Sequence, residues 1–384
     1  MRRIRYDIQV FLEGLFFWAG ASAGVAYLPS LAGIYGLTSL EQSFFFASMA
    51  IGRTFFQPIA GLLVSPVKTY MLRWVSLVIL AGMALATAFV PLPAVLIIAR
   101  FAEGVCLSIY IVSLRTLLNG FSQQPIFESV NDAYTISQST GRLVGPAFAA
   151  LLASIYGPRG VFIGSALTWG LCLLFNRRYI QYEIVAPVIQ HEIRSKWQSY
   201  FMLPICVQVL EFFSLGFWLV VWPVFLGNID GVRYSALGLF FTASACGGLF
   251  WPLLRRFFHH QSFVTRMRGG LLILALTSFL PAMGGMNTPL LIILAILSGI
   301  GSTAYFTSFH HHLSDTFSVH EIPKIYGILG SVTFFAQATG QIIAPSILIL
   351  ITPSSALLLN SAILILSTVL LSIHPRNIRA TKGE

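Results

Sequence analysis

The stretch SQSTGRLVGP, Ser137 to Pro146, returns 199 residues later as AQATGQIIAP, Ala336 to Pro345, with Gln, Thr, Gly and Pro at identical spacing. Both copies sit inside apolar runs, so the chain uses one kind of helix twice. Gly141 and Gly145, four residues apart, let a neighbouring backbone approach closely. Pro146 removes a backbone donor and bends the helix. Gly340 and Pro345 repeat two of these features, but Gln341 stands where the first copy has Arg142. The glycine stripe is expected to pack against a helix of the other half of the chain, leaving Arg142 turned toward a cavity.

The wider composition explains why such helices dominate. Of 384 residues, 56% are hydrophobic and 9% charged, and the mean hydropathy is +0.81. Soluble domains carry about 25% charged residues, so this is a membrane protein. A net charge of +10 raises the question of nucleic acid, but no basic run is interleaved with stacking aromatics. No Gly-rich phosphate loop with its Lys is present, which speaks against ATP as the direct energy source. Cys106, Cys172, Cys206 and Cys246 lie in apolar segments and read as small core residues. The N-terminal MRRIRYDIQVFLEGLFFWAG starts basic, like a secretory signal. Its apolar run continues to Tyr35, however, well past the roughly 7 to 15 residues of a signal's apolar region, and is expected to remain as a first spanning helix.

Apolar windows of about 20 residues give twelve spans: 9–34, 41–64, 71–90, 94–117, 133–155, 160–175, 200–227, 235–254, 269–286, 289–309, 325–350 and 355–373. With the N-terminus in the cytoplasm, seventeen basic residues fall on the inner side, Arg73 among them, against Arg159 and Arg233 outside. That asymmetry follows the positive-inside rule and accounts for the charge without a polyanionic partner. The expected architecture is an all-α membrane protein of twelve transmembrane helices in two pseudo-symmetric six-helix bundles. Residues 1–175 form the first, 176–199 a cytoplasmic linker, and 200–384 the second. Pro29 matches Pro223, and FQP at Phe56 matches FWP at Phe250, both at an offset of 194. Parallel repeats of this kind place a transported solute near the bilayer midplane between the halves.

GRLVGP at Gly141 to Pro146 matches a GxxxGP signature, and RFAEG at Arg100 to Gly104 matches an RxxxG pattern. On a six-plus-six chain these motifs resemble the major facilitator superfamily, over essentially the whole length. The resemblance implies alternating access, with helices 1, 4, 7 and 10 lining the cavity and helices 3, 6, 9 and 12 facing lipid. Once Arg73 is assigned to the inner boundary, spans 3, 6, 9 and 12 are indeed free of charge. The loop after Gly61 departs from the family pattern: Ser65 takes the place of its Asp and Lys68 that of its second Gly.

Charges inside a membrane are costly and mark function or pairing. Those within the spans are Glu13, Arg53, Arg100, Glu103, Arg115, Arg142 and Glu211. Arg142, Arg53, Glu13 and Glu211, with Trp18 and Trp218 as apolar wall, are the candidate substrate-binding residues. Glu103, three residues from Arg100 on one helical face, is the candidate proton-coupling carboxylate. All eight histidines fall in cytoplasmic segments or at their edge. His310 to His312, with Asp315, His320 and Glu321, read as a solvated inner loop, and no metal or cofactor is expected. The resulting expectation is a monomeric secondary transporter, not an enzyme, in a bacterial cytoplasmic (inner) membrane with both termini inside. It moves a small organic, anionic or amphipathic solute coupled to protons or another ion, with GRLVGP favouring efflux. The alternatives are an uptake permease for an organic anion and a sensor or lipid-handling protein that transports nothing.

Overall fold

Lipid offers a backbone no hydrogen bonds, so a spanning chain satisfies its peptide groups within helices or a closed barrel. The computed structural model describes residues 2–64, 69–90, 92–119, 127–176, 202–227, 234–258, 260–284, 286–316 and 322–373. Among them are thirteen α-helices and no strand. In the first half these are α1 (Arg2–Ala23), α2 (Leu28–Ile34), α3 (Ser39–Leu63), α4 (Thr69–Phe89), α5 (Pro93–Asn119), α6 (Phe127–Tyr156) and α7 (Pro158–Phe175). The second half holds α8 (Met202–Gly227), α9 (Tyr234–Leu254), α10 (Phe263–Ala282), α11 (Thr288–Thr316), α12 (Ile322–Leu350) and α13 (Pro353–Ile373).

The first span, expected as one helix over 9–34, is broken. A 3₁₀ turn at Val25–Tyr27 separates α1 from α2, closed by the Tyr27 amide donating to the Gly24 carbonyl at 3.1 Å. Pro29 falls in the first turn of α2, where its missing N–H leaves no helical bond unmade. Counting α1 and α2 together leaves twelve helical units among the described residues. Eight helices, α4, α5, α7, α8 and α10 to α13, are long and apolar enough to cross a membrane by composition alone. α1, α3, α6 and α9 are not among them, and three of these carry the seams between the halves described below.

The packing repeats from half to half. α1 lies against α6 and α7, α3 against α5, and α4 against α5 and α7. Correspondingly, α8 lies against α12 and α13, α9 against α11, and α10 against α11 and α13. Two seams join the halves and exchange under the same pseudo-twofold: α3 with α12, and α6 with α9. α6 and α7 touch far more extensively than their counterparts α12 and α13, the one marked asymmetry.

The two faces of the bundle differ. At the far face, opposite the start of α1, the chain turns tightly at Gly36, Gly157 and Gly284, all with positive φ. There one apolar cluster spans both halves, from Leu28, Phe45 and Phe46 to Phe217, Trp222, Phe240 and Leu291. Toward the near face each half instead closes its own core, around Tyr110 and Leu114 in the first and Tyr305 and Phe309 in the second.

Two further expectations change. Arg73, counted among the charges at the inner boundary, is fully buried in α4 and ion-paired with Glu13 of α1, so the third span does carry a charge. His310 to His312 lie in the last turns of α11 rather than in a loop, and the His310 Nδ1 is 2.8 Å from the Tyr326 hydroxyl. No metal-binding group of His, Cys, Asp and Glu forms among the described residues. The 176–199 linker beyond Asn176, Ser65 and Lys68, and His320 with Glu321 lie outside those residues.

Candidate functional site

The faces of α6 are set by its small and large residues. Ile136, Val144, Leu151 and Ile155 are exposed along one stripe and face lipid. About 100° around the helix, Gly141 and Gly145 receive α1: a Cβ on Gly141 would stand 2.6 Å from the Leu15 carbonyl oxygen. The glycine stripe therefore packs against the same half, not the other half as expected. The second copy does likewise, Gly340 of α12 abutting the Phe213 carbonyl and Phe217 amide of α8. The other half meets α6 on a further face, where Thr242 of α9 donates to the Leu143 carbonyl at 3.2 Å.

Arg142 is left on the fourth face, opposite the lipid stripe and between the contacts with α1 and α9. It is exposed, and since lipid lies behind it, that exposure is to the space between the halves. Its guanidinium lies over the Trp18 ring, 4.7 Å from the centroid, a cation–π arrangement. Trp18 Nε1 is buried and has no partner among the described residues.

Arg53, on α3, reaches across the seam to α12. Its guanidinium stands 3.6 Å from the centroid of Phe334 on α12. Arg115, over the Tyr134 ring at 4.7 Å, extends the constellation toward the near face. None of these three arginines forms an ion pair among the described residues. Near them the α3–α12 seam is polar: Ser331 Oγ donates to the Thr54 carbonyl at 2.7 Å.

The other expected site residues are distributed differently. Glu13 accepts hydrogen bonds from Arg73 and from the Tyr110 hydroxyl, the latter at 2.8 Å, and is wholly buried. It sits inside the first bundle rather than in the cavity. Glu103 is ion-paired with Arg100 of its own helix, while Arg100 also points an Nη2 at the Met49 sulfur, 3.5 Å away. Glu103 further interacts electrostatically with Arg53. Glu211, in α8, is buried, and its Oε2 has no partner among the described residues. Trp218 stacks on Trp222 and meets Phe241 edge-on, at the margin of the far-face cluster. Pro146 and Pro345 lie within α6 and α12, and Gly61 in the last turns of α3.

Arg73 is the residue that reading the chain by spans misses, and a repeat signal points to it. At an offset of 195, Glu13, Arg73 and Tyr110 become Gln208, Arg268 and Tyr305. The structure pairs them alike, the Tyr305 hydroxyl donating to Gln208 Oε1 at 2.7 Å. Arg268, lacking a carboxylate, donates to the Leu371 carbonyl.

Comparison with known proteins follows this geometry. The sequence profile of the Major Facilitator Superfamily matches residues 10–284 and 267–383. No curated protein matches in sequence. Among solved structures, the human organic anion transporter MFSD10 (TETRAN) aligns at TM-score 0.71 and 15% identity, covering 97% of this chain and 100% of that one. The nucleoside transporter NupG aligns at 0.73 and 12%, covering 96% and 98%. An auto-inhibited POT family peptide transporter aligns at 0.73 and 12%, covering 99% and 98%. At such identities the likeness is one of fold.

Proposed function

The chain belongs to the Major Facilitator Superfamily, and from that premise we propose that it is a proton-coupled carrier of a small organic anion, working by alternating access between the halves 1–175 and 200–384. The family fold serves nucleosides, peptides and organic anions alike in its neighbours, so the substrate class rests on side chains. One observation carries the reading: neither Arg142, lying over Trp18, nor Arg53, lying over Phe334, forms an ion pair among the described residues. Guanidinium groups without a counter-ion are ready partners for an anion, which takes bidentate hydrogen bonds from them. Trp18, behind Arg142, provides an apolar face with a free indole N–H for the body of the solute.

Glu103 supplies the coupling. Its carboxylate offsets part of the positive field at Arg53, so protonating it strengthens that field and tightens the hold on an anion. Proton and anion then bind together. With the near face cytoplasmic, as the positive-inside bias favours, an inward proton gradient drives uptake. This geometry favours the permease reading over the efflux that GRLVGP brings to mind. Glu211 and Trp218 are the second half's candidate contributions to the site.

The test is uptake into proteoliposomes of a panel of organic anions, cations and neutral solutes, with and without a pH gradient. An anion is expected to accumulate, and Arg142→Gln to raise its KM about tenfold or more, the loss of one charge-assisted hydrogen bond. Glu103→Gln should abolish accumulation while leaving exchange. Unchanged KM in well-folded Arg142→Gln and Arg53→Gln proteins, for an anion that is transported, would refute the binding role.

A further inference from the structure

A second space lies apart from the arginines between the halves, wholly inside the first half. It is a cavity of about 30 Å³ between α1, α4, α5 and α7. Arg100 and Glu103 form its floor, and Trp169 of α7 stands beside them. From there it runs past Ser165 and Thr87 to Gly24, at the break in the first span. Thr87 is two residues from the far end of α4, so the space lies between the buried ion pair and the far face.

Two hydrogen-bond donors in this lining have no partner among the described residues. They are Nε1 of Trp169, a residue only 3% exposed, and Nε of Arg100, 6% exposed. A buried N–H without an acceptor is costly, and a cavity above about 10–15 Å³ with polar partners has room for water. The charges that face Glu103 are its own Arg100 and, from α3, Arg53, with the Cys106 thiol one turn along α5. α1, α4 and α7 bring no charged group to the lining. Glu103 is thus the one carboxylate among the lining residues, two donors without partners among the described residues can hold water beside it, and the Ser165 and Thr87 hydroxyls lie between it and the far face amid apolar neighbours.

We infer that this pocket is a water-binding proton port: protons reach Glu103 from the far face through the interior of the first bundle, separately from the substrate's route between the halves. Water held by Trp169 Nε1 and Arg100 Nε takes a proton from the far side and hands one to the Glu103 carboxylate, which becomes a neutral acid. Arg100 keeps its charge and loses its counter-ion, which adds to the positive field the anion meets. Separate routes let the proton arrive before or after the anion, whichever way the halves are open. The inference rests on Glu103 being the coupling carboxylate.

The experiment uses the full-length protein in nanodiscs, both faces open to buffer and no substrate present. Rapid acidification is followed by the infrared C=O band of a protonated carboxylic acid. If the parent shows no band that Glu103→Gln lacks, Glu103 does not take the proton, and the coupling reading beneath this inference fails. If that band is present, Ala84→Leu, which fills the pocket, is expected to slow its rise at least about tenfold, equivalent to about 1.4 kcal/mol of barrier. Trp169→Phe, which keeps the ring and removes only the N–H, is expected to slow it by a smaller factor and carries the test should Ala84→Leu not fold. Because protons have access from both faces, a band that rises at the parent rate in Trp169→Phe and in any folded plugged variant overturns the port.

Discussion

Replacing Glu13 by Gln should be among the most destabilising single changes in the protein. Glu13 and Arg73 are both fully buried and ion-paired. Glutamine is nearly isosteric and can still accept the Tyr110 hydroxyl bond, so packing is held constant and only the charge is removed. What remains is an Arg73 guanidinium inside the bundle without its counter-ion, a defect that costs about 3–5 kcal/mol. For a unit the size of one half, each kcal/mol moves Tm by about 2–4 °C, so the variant should unfold roughly 6–20 °C below the parent. Detergent-solubilised protein, followed by tryptophan fluorescence during heating, gives the shift. Removing both charges, as Glu13→Leu with Arg73→Leu, should recover most of it, since apolar pairs replace buried ion pairs at little net cost. The Tyr110 hydroxyl would then lack its acceptor, leaving a residue of about 1–3 kcal/mol. A Glu13→Gln protein that melts within about 2 °C of the parent would refute the buried pair and return Glu13 to the cavity. So would a double variant no more stable than the single one.

Gly141→Leu should prevent assembly of the α1–α6 contact, at a cost at or above the roughly 1–3 kcal/mol usual for overpacking. Gly82→Leu, at a helical glycine where an added Cβ would meet nothing within 4 Å, should leave the melting temperature unchanged; equal behaviour of the two would contradict the packing. In a background without native cysteines, Thr54→Cys with Ser331→Cys should be bridged by a short thiol cross-linker and lose transport, with recovery on reduction. Parent-rate transport by the bridged protein would mean that the α3–α12 seam does not open.

How much of this was legible depends on the range over which each signal acts. Helices and their number follow from apolar runs about as long as the bilayer is thick, a property of contiguous residues, and the repeat followed from Gly141, Pro146 and their partners 199 residues on. The break at Gly24 was harder to see, because Gly and Pro are common in spanning helices and only the turn at Tyr27 shows that the helix stops. Arg73 was misread because an arginine one turn inside a boundary looks like a side chain reaching for the interface. Its partner lies 60 residues earlier, and nothing local reveals the pair. The offset of 195 that relates Glu13, Arg73 and Tyr110 to Gln208, Arg268 and Tyr305 does reveal it. The two offsets differ by four residues, about one helical turn, so no single register aligns both the glycine helices and the buried polar cores. In the arginine cavity, residue types were readable but facing was not: Trp18 and Arg142 meet because Gly141 and Gly145 let α1 come close enough.

The apolar cluster that joins the halves at the far face, from Phe45 and Phe46 to Trp222 and Phe240, makes the transport cycle lopsided in energy. Opening toward the near face parts the α3–α12 seam, where Arg53 stacks on Phe334, Ser331 donates to the Thr54 carbonyl and Gly330 packs on Gln57, a seam of glycine and polar contacts between cores that each half closes for itself. Opening toward the far face wets a shared core at about 25 cal/mol per Å² of apolar surface. Under alternating access, the empty protein is therefore expected to rest closed to the far side. The work of exposing the site there must come from whatever arrives on that side, and a rise in temperature, which strengthens the apolar term up to a point, would deepen the resting state instead of loosening it.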